Sequence, residues 1–296
     1  MTDTAAIDAV FSAPEYIYKY SSASRVAQII ADLTFYFAPV SQLNDLFEFR
    51  ARSLYTETEE SKYRAFAKRL LHDRWYDSFA EALEAAKDPN LLDSVTQSYA
   101  DYIQNLNQVL FNIMEHSGVT CFSRHRNNQR MWGTYGVNHS GAVIEFSTSA
   151  QNSKFASHLM PVLYFREKFP LCPSEFLTES MGMNLKLCSA LCCIKHHHWI
   201  DEFEWRLLLL TDKPQSKSER IAPFERTAIT RIFLGPRITP QDEILIRTNA
   251  SKHHPPIPVF KRLIDEAEAK EEMVGTEQIL SLEQFKYWTE RGLGKQ

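Results

Sequence analysis

Residues 118–147 read Gly118-Val119-Thr120-Cys121-Phe122-Ser123, then Met131-Trp132-Gly133-Thr134-Tyr135, His139 and Gly141, then Val143-Ile144-Glu145-Phe146-Ser147. The two outer runs, Gly118 to Ser123 and Gly141 to Ser147, are rich in branched and aromatic residues and bounded by turn formers, which predicts strands. Between them Trp132, Tyr135 and His139 recur at three- and four-residue spacing, so on a helix they share one face. Such a face can stack a flat ligand beside a proton-handling imidazole, and it can equally pack as core.

Upstream, Tyr16 to Tyr20 reads as a short strand, and Ser21-Ser22 supplies capping hydroxyls for a helix from Ser24 to about Leu33. A strand from Thr34 to Phe37 follows, ended by Pro39, and Ser41 to Asp45 has turn chemistry. From Glu57 to about Ala86 and from Leu91 to about His116 apolar residues recur at helical spacing, with Asp88-Pro89-Asn90 as the break. No Gly/Ser- or Pro-rich linker isolates this stretch. It is read as a helical insertion at about 56–117 within one α+β domain spanning 1–296.

Downstream, Pro161 to Phe165, Glu204 to Leu210 and Ala228 to Leu234 read as strands, with helices over Thr178 to His197 and Pro240 to Thr248. Ser281-Leu282-Glu283-Gln284 has capping-box spacing before a C-terminal helical tail at about 276–292. Strands and helices do not alternate regularly, so the expected architecture is α+β with a mixed or antiparallel sheet core.

The chain has 296 residues with 44% hydrophobic and 24% charged side chains, enough for a sizeable folded core. A net charge of −4 gives no global attraction to nucleic acid or membrane, although the basic run Arg124 to Arg130 can meet phosphates locally. The first ten residues lack the basic start of a secretory signal, and no apolar run approaches the roughly 20 residues that span a bilayer. Five cysteines without paired Cys-x-x-Cys motifs fit reduced thiols. A cytoplasmic protein without a membrane partner is expected.

No Gly-x-x-x-x-Gly-Lys loop and no dinucleotide fingerprint after a strand occurs. Ser123 lacks a Gly-x-Ser-x-Gly elbow. Cys188, Cys192 and His196 repeat every four residues beside His197 and His198, yet a second ligand pair at metal spacing is missing, so no metal is expected. On a strand, Glu202, Glu204 and Arg206 share one face, lining a cleft or a charged solvent edge. Asn44, Asp45 and Glu48 fit a turn, with Glu48 available to a polar cleft.

Taken in order, Tyr18-Lys19-Tyr20, Leu43-Asn44-Asp45-x-x-Glu48, Cys121-Phe122-Ser123, Met131-Trp132-x-x-Tyr135-x-x-x-His139-x-Gly141, Pro161-Val162-x-Tyr164 and Glu202-x-Glu204-Trp205-Arg206 resemble a widespread bacterial family of unassigned function. Leu46 stands where relatives usually carry proline. More distantly, the order of an early strand, a helix, an aromatic-Ser strand and a late Glu-x-Glu strand is similar to ADP-ribosyltransferases. That resemblance implies NAD as substrate and a protein or nucleic acid as acceptor, with a place in defence or toxin function. It implies Glu204 as catalytic carboxylate with Glu202 assisting. Tyr18, Lys19 and Tyr20 would hold the adenosine side, Ser123 the nicotinamide ribose, and Trp132, Tyr135, His139 and Arg206 the rest of the ligand. Lys19 departs from the His or Arg usual in that superfamily, and Phe146-Ser147-Thr148-Ser149 lies in a later strand than the pattern places it. The alternative is a non-catalytic module binding a nucleotide, nucleic acid or protein on the Trp132, Tyr135 and His139 face.

Overall fold

The first strand, β1 (Tyr16–Ser21), buries Ile17 and Tyr20, one on each face, and leads through Ser22 into helix α1 (Ala23–Asp32). Ser22 Oγ accepts from the Arg25 amide at 3.3 Å, satisfying one of the helix's open donors. The helix ends at Leu33 in the left-handed conformation (φ 50°). Strands β2 (Thr34–Tyr36) and β3 (Ala38–Pro39) follow, then helices α2 (Glu59–His72) and α3 (Phe79–Ala85). Next come β4 (Gly118–Ser123), α4 (Gln129–Thr134), β5 (Ala142–Ser147), β6 (Met160–Pro161), β7 (Leu163–Phe165), β8 (Ile194–His196) and β9 (Glu204–Leu209). The order closes with β10 (Ile221–Pro223), β11 (Ile229–Leu234), α5 (Pro240–Ser251) and β12 (Val259–Lys261). This computed structural model describes residues 12–45, 48–49, 59–88, 90–91, 108–149, 154–166 and 188–262. The predicted C-terminal tail at about 276–292 lies outside them.

The main sheet runs β12–β11–β5–β1–β4–β9–β6, with β3 also on β4, eight strands among the described residues. β11 and β12 pair parallel, and the other pairs in the sheet are antiparallel. The fold is thus α+β with a mixed sheet, as the irregular strand and helix order implied.

One face of this sheet is apolar. Ile17, Phe122, Ile144, Phe146, Trp205 and Ile232 pack there against Val26, Ile29 and Ile30 of α1 and Ile246 and Ala250 of α5. Burying a side chain of this size contributes roughly 1.5–3 kcal/mol each. α2 and α3 pack together around Phe66, Leu70, Ala82 and Ala86 in a separate cluster, and residues 108–116 are helical too. By strand alternation the opposite face carries Tyr16, Tyr18, Tyr20, Cys121, Ser123, Glu145, Glu204, Arg206, Arg231 and Phe233. Charged and aromatic residues therefore collect on one side of one sheet.

Three expected elements differ. Trp132, Tyr135 and His139 do not share a helical face, because α4 stops at Thr134 and Val137, Asn138 and His139 take positive φ (51°, 50° and 67°). The glycines explain how the chain turns so tightly: a Cβ on Gly141 would sit 2.2 Å from Ser21 O, and one on Gly235 would sit 2.1 Å from His139 O. Close backbone approach leaves no room for a side chain there. Of the helix expected over Thr178 to His197, the described part is helical only at 188–191, and Ile194–His196 is β8, so Cys188, Cys192 and His196 do not line one helix. Finally, Glu202 ends a 3-10 turn (His197–Glu202), and the left-handed Phe203 (φ 46°) separates it from β9. Glu202 is not on the strand face that carries Glu204 and Arg206.

Candidate functional site

The sheet register sets one row of side chains across the polar face. Arg231 stands opposite Glu145, Glu145 opposite Tyr18, Tyr18 opposite Ser123, and Ser123 opposite Glu204. Directly opposed residues in antiparallel pairs point to the same side, about 4.5–5.5 Å apart at Cβ. Tyr18, Ser123 and Glu204, far apart in sequence, are therefore neighbours.

At the Glu204 end the row meets a buried ion cluster. Lys195 Nζ donates to Glu202 Oε2 at 2.7 Å and Glu204 Oε2 at 3.0 Å, and lies 3.7 Å from Glu48 Oε1. Arg206 Nε and Nη2 bind Glu204 at 2.8 and 3.0 Å, Nη2 also pairs with Glu48, and Nη1 donates to Cys192 O at 2.5 Å. Glu48, Lys195, Glu202, Glu204 and Arg206 are each exposed by 3% or less, so solvent does little to screen them. The Tyr164 hydroxyl accepts from the Glu204 amide at 3.0 Å, fixing the start of β9.

The charges shift one another. Burial pushes the Glu204 carboxyl up, Lys195 pulls it down, and Glu202 pushes it up again, with a net rise. Burial works against the Lys195 ammonium, but Glu204 and Glu202 outweigh it and hold the pKa above the ordinary value. The Cys121 thiol, beside Glu204, is pushed well up, by burial first and then by that carboxylate. It is therefore a poor nucleophile.

One path leads outward. Tyr135 donates to Glu202 Oε1 at 2.8 Å and accepts from the exposed Asn44 Nδ2 at 2.9 Å. Tyr135 is half-buried, and its hydroxyl is pushed far up by burial and then by Glu202. A polar ligand group at the surface is linked to Glu202 by the hydrogen bonds of Asn44 and Tyr135.

The remaining sequence-derived candidates divide. Trp132 is buried, donates from Nε1 to Arg126 O at 3.1 Å, and stacks parallel to His139 at 6.1 Å. Tyr20 meets Trp132 edge-on at 5.4 Å, donates to His125 O at 2.7 Å and accepts from the Asn128 amide at 3.2 Å. Ser123 Oγ donates to Glu202 O at 2.8 Å and accepts from the His125 amide at 3.2 Å. Tyr20 and Ser123 thus both fasten the loop after β4. Lys19 projects to the other face of β1 from Tyr18 and Tyr20, donating to Thr120 Oγ1 at 2.8 Å and Cys121 O at 3.1 Å. Tyr18 remains half-buried, with its hydroxyl pushed up to about 12 by burial and Glu145.

Sequence reasoning missed Lys195, the cation at the centre of the cluster. The available signal was one lysine directly after the apolar stretch Leu191 to Ile194, where a buried ammonium needs a carboxylate partner. Glu145 offered the same signal between Ile144 and Phe146. Glu48 joins the polar interior, as its place after the Asn44-Asp45 turn allowed. Next to Lys195, the rings of His196, His197 and His198 gather with ligand nitrogens within 4.8 Å of one another, a set of metal-ligand type. His196 Nδ1 accepts from the His198 amide at 3.4 Å, which engages one of those nitrogens.

Among the described residues no helix is long and apolar enough to cross a membrane. Compared with known protein families, with characterised proteins and with solved structures, the chain matches none.

Proposed function

We propose that the chain uses NAD as an ADP-ribosyltransferase or NAD glycohydrolase with an ADP-ribosyltransferase-like sheet, acting in bacterial defence or toxin function on a protein or nucleic-acid acceptor. The observation that carries this reading is the row Tyr18, Ser123, Glu204, which sets the early strand, the aromatic-Ser strand and the late Glu strand side by side. In the reaction the bond between ribose C1′ and the nicotinamide nitrogen breaks, and nicotinamide leaves with the electron pair. The oxocarbenium-like ribose is stabilised by a carboxylate until water or an acceptor adds at C1′ and loses a proton. Glu204 supplies that carboxylate, Glu202 assists, and Tyr135 links Glu202 to the surface. A cluster of five buried charges costs more in desolvation than apolar packing would, and a functional role gives a reason for keeping it.

Glu204 is 3% exposed, so NAD reaches it only when side chains around it move aside. That burial, together with the neutralisation of both carboxylates by Lys195 and Arg206, favours a second reading. Here the cluster is a rigid support for a non-catalytic module that binds a nucleotide, nucleic acid or protein near Trp132, Tyr135 and His139.

Free nicotinamide and ADP-ribosylated products, followed with purified protein, NAD and lysate, separate the two. Turnover lost in Glu204→Gln with folding retained supports the first reading. Equal turnover in wild type and Glu204→Gln sinks the role of Glu204, and saturable NAD binding without turnover selects the second.

A further inference from the structure

Beside the ion cluster, the polar face of β1, β5, β11 and β12 carries a belt of arginines laid over aromatic rings. Arg231 lies over Tyr16 at 5.7 Å, Arg126 over Phe233 at 4.6 Å, and Arg262 over Trp132 at 5.4 Å. Phe233 stacks on Phe260 of the neighbouring strand at 5.8 Å, and Phe260 is 48% exposed. His139 lies parallel to Trp132 at the end of this series. The groups are contiguous: Arg126 and Arg231 both act on the Tyr18 hydroxyl, Arg126 and Arg262 on that of Tyr20, and Arg262 and Arg237 on the His139 ring.

The belt is positive on an acidic chain. Arg126, Arg231, Arg237 and Arg262 are its cations, while Glu145 is buried and already bound by Arg231 Nε at 2.6 Å and Thr230 Oγ1 at 2.6 Å. Glu15 stands at the rim, beside Tyr16. Among the described residues, Arg126, Arg237 and Arg262 have no carboxylate within ion-pair distance. A net charge of −4 for the whole chain makes this local excess a property of placement rather than composition.

We propose that this belt binds single-stranded nucleic acid, with the arginines on phosphates and the Tyr18, Phe233, Phe260 and His139 rings against bases. Three strand spacings of about 4.8 Å separate β1 from β12, so the aromatic groups span several bases rather than one phosphate. A duplex hides its base faces and leaves the rings without partners, whereas a single strand offers both bases and phosphates. An acidic peptide satisfies the arginines but supplies no regular series of flat groups. The inference rests on the second reading above and deepens it by naming the ligand class, and it needs neither Glu204 nor NAD.

The test is fluorescence anisotropy of the full chain with labelled oligodeoxythymidine and oligouridine of about twelve nucleotides. Saturable binding is expected at about 50 mM salt, with log K falling against log salt at a slope of about −2 if three phosphates are held. The pair Arg126→Glu and Arg262→Glu should weaken binding at least about tenfold and flatten that slope. Phe233→Ala with Phe260→Ala should weaken it with the slope kept. Lys154→Glu, a charge reversal at an 87% exposed side chain away from the belt, should leave affinity unchanged. Circular dichroism checks each fold, and if the aromatic variant does not fold, the arginine pair and the salt slope carry the test. No saturable binding, unchanged affinity in the arginine pair, or equal affinity for a duplex overturns the proposal. NAD turnover without oligonucleotide binding overturns this proposal alone, and oligonucleotide binding without NAD turnover overturns the NAD reading alone, so the two fail separately.

Discussion

The Tyr135 hydroxyl donates to Glu202 Oε1 at 2.8 Å, tying the end of a short helix to a carboxylate that is 2% exposed. Because Tyr135 also accepts from Asn44, one phenol joins the surface turn before Glu48, the turn after α4 and the interior charges.

Tyr135→Phe keeps the ring packing but leaves the buried Glu202 without that donor. The expected loss in unfolding free energy is about 1.5–3 kcal/mol, the range for hydrogen bonds to charged groups. Asn44→Ala, at an exposed position, should cost less than about 1 kcal/mol. Urea denaturation of both variants checks the pair, and equal losses would mean that the Tyr135 to Glu202 bond has no special weight.

Arg206→Met leaves Glu48 and Glu204 buried with only Lys195 to balance them and Glu202. A loss of about 3–5 kcal/mol is expected, the cost of stranding a buried charge. Adding Glu48→Leu restores the original charge difference within the cluster, so the double variant should recover part of the loss. A double variant as unstable as the sum of both single variants would contradict the described pairing.

Much of the sheet was legible because β1, β4, β5, β9 and β11 are short runs whose side chains alternate between a packed face and a polar one. The row Tyr18, Ser123, Glu204 was legible only as an order of motifs, since register depends on pairing between strands distant in the chain. Lys195 escaped because its partners lie in β9, in the turn before it and near Asn44, and the adjacent histidines drew attention only to a metal reading that was set aside. The helical face predicted for Trp132, Tyr135 and His139 failed for a local reason. Residue spacing carries no sign of the left-handed backbone at Val137, Asn138 and His139.

Gly235→Ala tests that turn. Its Cβ would fall 2.1 Å from His139 O, where Arg237 N also binds at 3.0 Å, so the backbone has to shift. A loss on the order of 3 kcal/mol is expected, with a lower thermal midpoint. A neutral substitution would show that the clip between the turn and the end of β11 is loose.

Burial lowers the Lys19 ammonium from its ordinary 10.5 to about 8. Between these values the unfolded chain holds a proton that the folded chain has released, so the Lys19 contribution makes stability rise with pH across that window and fall as pH drops through about 8. Acylation followed by peptide mass spectrometry should give Lys19 a half-maximal reactivity near pH 8, well below that of exposed lysines. Lys19→Met should flatten the rise in stability. Titration of Lys19 together with the surface lysines would refute the assignment.

His139 gives the nucleic-acid proposal a pH signature. Burial, then Arg262 and Arg237, hold its pKa below the ordinary 6.5, so the ring is neutral in the ligand-free protein near neutral pH. A phosphate between those arginines offsets their field and raises the pKa, so binding takes up a proton and affinity rises as pH falls through the titration of the ring. The groups around the ring are the Trp132 face from α4, Arg237 from the loop after β11 and Arg262 after β12. Farther along the belt stand Arg126, Arg231 with its partner Glu145, and Tyr18, whose hydroxyl is pushed up to about 12. Wild-type affinity for the oligonucleotide should therefore be severalfold higher at about pH 5.5 than at about pH 8. His139→Gln should bind more weakly than wild type at about pH 8, because one ring that stacks a base is lost, and lose most of the pH dependence. An unchanged pH profile in that variant would remove His139 from the binding face.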